Sequence, residues 1–395
     1  MTSLDATIAR VRPLDASAVR AARARQDQLA KPAGSLGSLE RLYIQLAGIG
    51  GAPLPSVERP CIAIMAADHG VADEGVSAYP RQVTAEMVRN FARGGAAINV
   101  LAREAGARIV VADFGIDWPP ADRPTAVVDC SIARGTENFA RGLAMSRALA
   151  LASIEAGIRL AERCIAEGAD LLALGEMGIG NTTSAAAIIA AMTDRPAEAV
   201  TGFGTGVDGS GWRRKVGVVE LALRRLASTR AGRGASDPLT VLSHVGGFEI
   251  GGLAGAMLGA AAFRRPVVVD GVIVAAGALL AVALCPEVRS YLIASHRSAE
   301  PGHRIALEFL ELEPLMDLGL RLGEGSGAAL ALGLIRAACR LPREMATFTE
   351  AGVSGRDEAR DDILDSARPT APTASASRQG AIDAHARARG RAPSE

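Results

Sequence analysis

Residues 171–191 read LLALGEMGIGNTTSAAAIIAA, and this stretch decides the fold. A short apolar run passes through a glycine-rich turn into a longer run of small apolar residues. A continuous apolar run followed by a turn and a helical segment is typical of a parallel strand covered on both faces. The stretch therefore predicts one strand-turn-helix unit of a buried parallel sheet.

The same arrangement recurs along the chain, where short apolar runs alternate with helical patterns. Such alternation predicts an α/β fold, with a three-layer, mainly parallel, doubly wound (Rossmann-like) sheet. The predicted strands are 61–66, 108–112, 126–128, 171–174, 239–242, 266–269 and 291–294.

Helical patterns occupy both ends of the chain, including segments 304–320 and 326–340. We therefore predict a small helical domain built from both chain ends, beside a large α/β catalytic domain. From about Gly355 onward large apolar residues almost vanish, and such a segment cannot bury enough surface to offset its ordering entropy. The predicted divisions are 1–50 with 304–345, 51–303, and a disordered tail at 355–395.

Composition narrows the possible partners. The 395 residues carry a formal net charge of zero and only 3% aromatic side chains, which disfavours nucleic-acid and anionic-membrane binding. The longest uncharged apolar run, 272–284, is too short for a bilayer, which needs ~20 residues, and predicts a buried helix. The N-terminus lacks an apolar signal core, and the five scattered cysteines predict buried thiols. These features predict a cytoplasmic protein.

In open parallel sheets, ligands bind beyond the carboxyl ends of the strands. In segment 175–183 of this chain, Gly178 and Gly180 allow close backbone approach, and Asn181 or Thr182 is placed to cap the next helix. The N–H groups at that helix end favour a phosphate. A tight turn with an ordinary cap would have the same pattern, but the carboxylate of Glu176 has no packing role there.

A second glycine cluster, 201–206, is followed by Lys215. Gly204, Gly206 and Gly209 formally satisfy GxGxxG, but no predicted strand precedes them, as a dinucleotide site would require. A phosphate cradle with Lys215 as a point charge fits the pattern better.

A third cluster, LGEGSG at 322–327, begins at Leu322 and leads into an apolar helix. Glu324 lies just before that helix, where the helix dipole favours the ionised form, so we expect a charged base or a capping carboxylate. The histidines and cysteines are not at metal-ligand spacing, so no metal is expected.

Together these motifs resemble the nicotinate-nucleotide–dimethylbenzimidazole phosphoribosyltransferase family over about residues 25–353. The resemblance implies a homodimer whose site lies at the strand ends near the subunit interface. The matching motifs are KPAGSLGSLE (31–40), MAADHGVADEGVSAYPRQVTAEM (65–87), FARGGAAINVLA (91–102), LGEMGIGNTTSAAA (174–187), TGFGTGVDGSG (201–211), VGGFEIGGLAGAMLGAA (245–261), VVVDGVIVAAGALLA (267–281), SHRSAEPGH (295–303) and RLGEGSGAALAL (321–332).

The resemblance also implies roles for single residues. Glu324 matches the family's catalytic base, and Glu176 matches its second active-site carboxylate. Glu86 stands where the family pattern has glutamine, which could change the accepted base. The implied substrate contacts are Gly178, Gly180, Asn181, Thr182, Gly204, Lys215 and Leu322, with Ser295 for the phosphate, and Ser77, Tyr79, Glu86 and Met87 for the benzimidazole.

The implied reaction moves the ribose 5-phosphate of nicotinate mononucleotide onto 5,6-dimethylbenzimidazole, with inversion at C1′ and without cofactor or metal. The pyridinium of the nucleotide already makes nicotinate a good leaving group. Three alternatives remain open from the residues: an NAD(P)-dependent oxidoreductase, a non-enzymatic phosphate or base sensor, and transfer to another base such as adenine or a phenolic compound.

Overall fold

The computed structural model describes residues 2–228 and 237–354. At its centre is a six-stranded sheet in which every neighbouring pair runs parallel, which confirms the α/β prediction. The strands are β1 (Pro60–Ala67), β2 (Arg108–Gly115), β3 (Val128–Asp129), β4 (Leu171–Met177), β5 (Val267–Val269) and β6 (Leu292–Ala294).

The strand order is β3-β2-β1-β4-β5-β6, the order of a doubly wound sheet. The chain moves outward in one direction from β1 and in the other from β4, so a crevice opens beyond the carboxyl ends of these two strands. All eight residues of β1 are buried. Its side chains alternate between two apolar cores, with Ala63 and Met65 in one and Ile62 and Ile64 in the other. This explains the continuous apolar run in the sequence.

Helices cover both faces of the sheet, which gives the three layers that the sequence predicts. Short 3₁₀ segments supplement them at Gly70–Glu74, Pro120–Asp122 and Pro286–Tyr291. The helices are α1 (Ser3–Ile8), α2 (Ala16–Gln28), α3 (Ser38–Gly50), α4 (Val83–Arg93), α5 (Ala97–Glu104), α6 (Arg147–Ala166), α7 (Asn181–Thr193), α8 (Ala197–Val200), α9 (Gly209–Ser228), α10 (Pro238–Val245), α11 (Phe248–Ala262), α12 (Val272–Leu284), α13 (Pro301–Leu310), α14 (Ser326–Glu344) and α15 (Phe348–Ala351).

Two sequence predictions about elements were wrong. Segment 239–242, predicted as a strand, lies in helix α10, because Asp237 caps the helix and Pro238 begins its first turn. The predicted helix 304–320 ends at Leu310, where Glu311 takes a left-handed conformation with φ of 55°. The predicted buried helix at 272–284 is confirmed as α12.

Helices α6 and α11 approach each other at backbone distance. A Cβ atom on Gly157 of α6 would collide with the carbonyl oxygen of Gly252 on α11. A Cβ on Gly252 would in turn collide with the ring of Phe114 at the end of β2. The glycines are therefore required for this close packing, which sets the distance between α6 and α11.

The two chain ends contribute helices that contact one another. Helix α14 packs against α3 and α5, and Arg25 of α2 donates a hydrogen bond to the carbonyl oxygen of Pro342 (2.9 Å). The chain through Met345 forms one compact unit. The division of that unit into a small helical domain and a large α/β domain stays a prediction. The segment from Ala346 forms a second unit whose described part holds α15, and the predicted tail at 355–395 lies outside the described residues.

No described helix is long and apolar enough to cross a membrane. The cysteines carry free thiols, and four of the five are buried, while Cys130 is partly exposed.

Candidate active site

A cavity of about 490 Å³ lies at the carboxyl ends of the strands, where the doubly wound order predicts a ligand site. Its wall includes the end of β4, the start of α7 and the loop before α14. Nine of the residues that the sequence singled out line it: Tyr79, Met87, Glu176, Gly178, Asn181, Thr182, Gly204, Leu322 and Glu324.

Glu324 is held in this wall by an unusual backbone conformation. Its φ is 62°, a left-handed value that few residues other than glycine adopt. The side chain is 5% exposed, and Oε2 has no hydrogen-bond partner among the described residues. Burial raises the pKa of the carboxyl, although a hydrogen bond from the backbone N–H of Ile98 opposes the shift. A raised pKa brings a carboxylate closer to the range of an effective general base.

One premise of the prediction for Glu324 was wrong, namely that the dipole of the following helix favours its charge. We expected the dipole of the following helix to favour its ionised form, but Asp270 occupies that helix end. The Asp270 carboxylate accepts hydrogen bonds from the backbone N–H groups of Gly325 (3.2 Å) and Ala328 (2.9 Å). Glu324 therefore depends on burial, and burial disfavours its charged form.

Glu176 is the second carboxylate of the cavity and is 5% exposed. Burial raises its pKa to about 8, and the negative charges of Glu249, Asp270 and Glu324 raise it further. The side-chain amide of Asn181 donates a hydrogen bond to Glu176 Oε2, which opposes the shift. At neutral pH Glu176 is therefore mostly protonated.

The start of α7 differs from the sequence prediction. Gly180, with φ of 97°, is the residue that caps the helix, and no side chain does so. Neither Asn181 nor Thr182 caps it, because both already lie in the first helical turn, where the Asn181 amide bonds Glu176. The glycine keeps this helix end free of a capping side chain, which leaves room for an anionic ligand.

One part of the cavity wall, which we call the polar end, is formed by Thr182, Gly204 and Glu300, with Lys215 directly behind Thr182. Lys215 lies on α9, fully buried, and Nζ donates to Thr182 Oγ1 (2.8 Å) and to the Gly202 carbonyl oxygen (3.3 Å). Burial lowers the pKa of Lys215 to about 8, and the charge of Glu300 opposes that shift. The backbone N–H of Gly204 donates to Glu300 Oε1 (2.8 Å).

The other end, the apolar end, is formed by Tyr79, Val83, Met87 and Leu322. Tyr79 is 55% exposed and Leu322 is 56% exposed, so the cavity opens to solvent here. Ser77 is not in the wall, but its hydroxyl bonds Thr205 Oγ1 (3.0 Å), and Thr205 lines the cavity.

Some predicted residues are not brought to the cavity surface. Glu86 is exposed and outside the wall, so its carboxylate does not face the cavity. Ser295 is fully buried and donates to the Val269 carbonyl oxygen (2.8 Å), which ties β6 to β5. Lys215 and Gly180 are not in the wall either, but Lys215 donates a hydrogen bond to Thr182, which is, and Gly180 caps the start of α7.

The sequence analysis missed five polar residues of the cavity wall. Arg321 donates to the carbonyl oxygen of Gly204 (3.2 Å), and Glu300 accepts from the backbone N–H of the same residue. All five lie inside motifs already quoted, at 201–211, 295–303 and 321–332, so their positions were marked although their contacts were not. The missed residues are Thr205, His296, Ser298, Glu300 and Arg321.

The formal GxGxxG of the second glycine cluster lacks a dinucleotide context. Helix α8, and not a strand, precedes it, and Gly209 begins α9. The strand-turn-helix unit that binds a pyrophosphate is therefore absent at this place.

Comparisons with known proteins agree with this geometry. A family model described as Phosphoribosyltransferase matches residues 11–353, so the fold and site define an enzyme of that class. The chain is 54% identical over 360 residues to the nicotinate-nucleotide–dimethylbenzimidazole phosphoribosyltransferase of Roseiflexus sp. (strain RS-1), covering 91% of this chain and 100% of the relative. The corresponding enzyme of Chloroflexus aurantiacus (strain ATCC 29366 / DSM 635 / J-10-fl) is 54% identical over 90% of this chain and 99% of its own.

Among solved structures, CobT from Thermus thermophilus matches with a TM-score of 0.82 and 48% identity, covering 86% of this chain and all of that one. A second structure from the same organism, titled as the nucleotide–dimethylbenzimidazole phosphoribosyltransferase, matches with a TM-score of 0.81 and 47% identity, covering 87% of this chain and all of that one. The chain belongs to the nicotinate-nucleotide–dimethylbenzimidazole phosphoribosyltransferase family.

Proposed function

We propose that the enzyme transfers the ribose 5-phosphate of nicotinate mononucleotide to 5,6-dimethylbenzimidazole, giving α-ribazole 5′-phosphate and nicotinate. The observation that carries the proposal is the buried carboxylate of Glu324, which has one unpartnered oxygen and lies in the wall of a cavity with a polar end and an apolar end. Such a cavity suits a sugar phosphate beside an aromatic base.

The polar end supports binding of the ribose phosphate. The terminus of α7 and the buried ammonium of Lys215 both favour an anion. The apolar end supports binding of the benzimidazole, because Val83 and Met87 offer it an apolar surface. Holding both substrates in one cavity replaces a bimolecular encounter by an oriented one.

Glu324 is the proposed general base. When a benzimidazole nitrogen attacks C1′, the C1′–nicotinate bond breaks and nicotinate leaves with the bonding electrons, which neutralises its pyridinium. The attacked base becomes cationic, and its other N–H becomes acidic. Glu324 takes that proton and stabilises the developing positive charge. Attack from the face opposite the departing nicotinate inverts C1′ and gives the α anomer.

Glu176 is the proposed partner of Glu324. With a pKa of about 8 it carries a proton at neutral pH, so it donates a hydrogen bond to a substrate oxygen. Two carboxyl groups in one cavity then hold different protonation states, an acid and a base.

We also propose that the enzyme acts as a homodimer. Exposed apolar side chains at or beside the cavity support a partner surface there, namely Tyr79, Phe203, Leu318 and Leu322. Sedimentation equilibrium would give twice the chain mass, and a concentration-independent monomer would contradict the proposal.

The deciding experiment is product analysis. Purified enzyme is incubated with nicotinate mononucleotide and 5,6-dimethylbenzimidazole, and the products are separated and their anomeric configuration is read by NMR. Free nicotinate with the α-anomeric nucleotide supports the proposal, and a β-anomeric product contradicts inversion.

The same assay separates the alternatives. Intact nicotinate mononucleotide with tight binding of the nucleotide would indicate a sensor, and turnover with adenine or a phenol in place of the benzimidazole would indicate another base. An oxidoreductase would be recognised by the absorbance change of NAD(P) on hydride transfer. The lack of a strand before the second glycine cluster disfavours this alternative.

A further inference from the structure

Below the cavity lies a buried histidine that none of the proposed chemistry uses. His69 follows β1 and is fully buried. Its Nδ1 lies 3.0 Å from Ser184 Oγ on α7, and its Nε2 lies 2.7 Å from Glu249 Oε1 on α11. One imidazole ring therefore connects the end of the central strand to two helices.

The glycine loop between Glu176 and α7 rests on this ring. A Cβ atom on Gly178 would collide with the carbonyl oxygen of Ala67 and would also lie 3.3 Å from Cδ2 of His69, so the loop packs closely against the ring. On the other side of the ring, a Cβ on Gly247 would collide with Cε1. The histidine thus fills the space between the active-site loop and the start of α11.

His69, Ser184 and Glu249 form one buried polar cluster. Ser184 Oγ also lies 3.5 Å from the carbonyl oxygen of Gly246, just before the start of α11. The imidazole of His69 is therefore the hydrogen-bond partner of the buried Glu249 carboxyl and is tied to α7 as well.

The partner of Glu249 matters because this carboxyl has little other stabilisation. The side chain of Glu249 is fully buried, and its Oε2 has no hydrogen-bond partner among the described residues. A bare charge there would be poorly screened by the protein interior. Its negative charge is also one of the causes that raise the pKa of Glu176.

We propose that His69 is a positioning residue for Glu176: through its contact with Glu249 it sets the proton affinity of that carboxyl and supports the loop that carries it. The consequence for turnover rests on the proposed function. The proton affinity itself can be measured without substrate.

Other groups also act on Glu176 and must be held constant. They come from four places: α7, the end of β5, the loop before α14 and the start of α11. The groups are the Asn181 amide, the carboxyls of Asp270 and Glu324, and Glu249 itself, while His296 also lines the cavity. Each substitution below leaves Asn181, Asp270, Glu324 and His296 in place.

The test compares the titration midpoint of Glu176 in two single variants, His69→Asn and Glu249→Gln. A merely structural role would shift the midpoint in the same direction in both variants. The full-length enzyme is labelled with ¹³C at the glutamate carboxyl, and the Glu176 signal is assigned by its loss in Glu176→Gln. His69→Asn leaves the Glu249 carboxyl without its imidazole partner, so we expect the titration midpoint of Glu176 to rise. Glu249→Gln removes the charge, so the midpoint falls. We expect about one pH unit in each direction.

Controls keep the result interpretable. His244→Asn removes a histidine outside the cavity, whose Nδ1 contacts the Thr240 carbonyl oxygen (2.8 Å), and should not move the midpoint. If His69→Asn does not fold, the double variant with Glu249→Gln removes both groups and should match Glu249→Gln alone. Midpoints that move in the same direction, or not at all, overturn the proposal.

The same set separates this inference from the proposed function. If the Glu176 midpoint shifts in opposite directions in the two variants, and the alkaline limb of the kcat/KM profile moves with it, the positioning role and the proposed reaction are both supported. Opposite shifts in an enzyme that does not convert nicotinate mononucleotide would leave the positioning role intact and remove the proposed reaction.

Discussion

The two ends of the cavity are built differently. At the polar end Lys215 is fully buried and Glu300 is 8% exposed, and each is bonded to backbone or side chain. At the apolar end Tyr79 and Leu322 are more than half exposed. Buried, fully bonded groups fix one geometry, whereas an open apolar wall accepts related shapes. Under the proposed reaction, we therefore expect the ribose phosphate to be the constant part of the substrate pair and the base to be the variable part.

The largest expected effect lies between the two ends, at Glu324. Glu324→Gln keeps the shape of the side chain but cannot take a proton, so we expect kcat to fall about 10³-fold with little change in KM. Glu104→Gln, at the exposed end of α5, is the matched control and should keep wild-type turnover. Turnover that survives in Glu324→Gln would move the base role elsewhere.

The polar end is expected to be intolerant of change. Lys215→Met removes a buried ammonium, so KM for nicotinate mononucleotide should rise about 10- to 100-fold while KM for the benzimidazole changes little. The other lysine of the chain, Lys31, pairs with Glu40 (2.7 Å) away from the cavity, so Lys31→Met serves as control. Equal increases in both KM values would contradict a division of the cavity into two ends.

The pH profile tests the carboxyl pair. Burial raises the pKa of Glu324, so kcat/KM should fall about tenfold per unit as pH drops below it, because the base becomes protonated. Glu176, with a pKa of about 8, loses its proton above that value, so activity should decline there as well. We therefore expect a bell-shaped profile of kcat/KM against pH. Glu176 would be removed from the mechanism if the wild-type profile were flat on the alkaline side and Glu176→Gln left the profile unchanged.

The apolar end is expected to tolerate substitutions with only a moderate loss of affinity for the base. Met87→Ala removes buried apolar contact from the base, which costs about 1–2 kcal/mol, so KM for 5,6-dimethylbenzimidazole should rise about tenfold. KM for the nucleotide is the internal control and should stay constant. A competition assay with adenine or a phenol would show whether the preference among bases changes at the same time.

The smallest effect is expected at Glu86. Its side chain is exposed and outside the cavity wall, so Glu86→Gln should change kcat/KM less than about twofold with any base. A larger change in base preference would restore the sequence prediction that this position contributes to the base pocket.

The sheet and its cavity could be predicted because their signals are local. Apolar runs mark β1 and β4, and the glycine turns that follow them mark the carboxyl edge. Segment 239–242 misled the prediction because an apolar run alone does not distinguish a strand from a buried helix, and Asp237 with Pro238 decided for the helix.

The state of the site residues could not be predicted, because it depends on long-range contacts. Asp270 is more than fifty residues from the helix that it caps, and it displaces the role expected for Glu324. The bond of Lys215 to Thr182 and that of Glu300 to Gly204 likewise join distant segments. Residue types and motifs indicate which groups gather at the cavity, but packing decides which of them are charged.

The backbone contact of α6 and α11 has an evolutionary consequence. Because Gly252 admits no side chain, every tolerated sequence change at this crossing must preserve the spacing of the two helices. Glu249 lies near the start of α11, only one turn from that crossing. A substitution that shifted this crossing would therefore also move Glu249, so a change in the core, far from any substrate, would reach the active site as a changed acidity of Glu176.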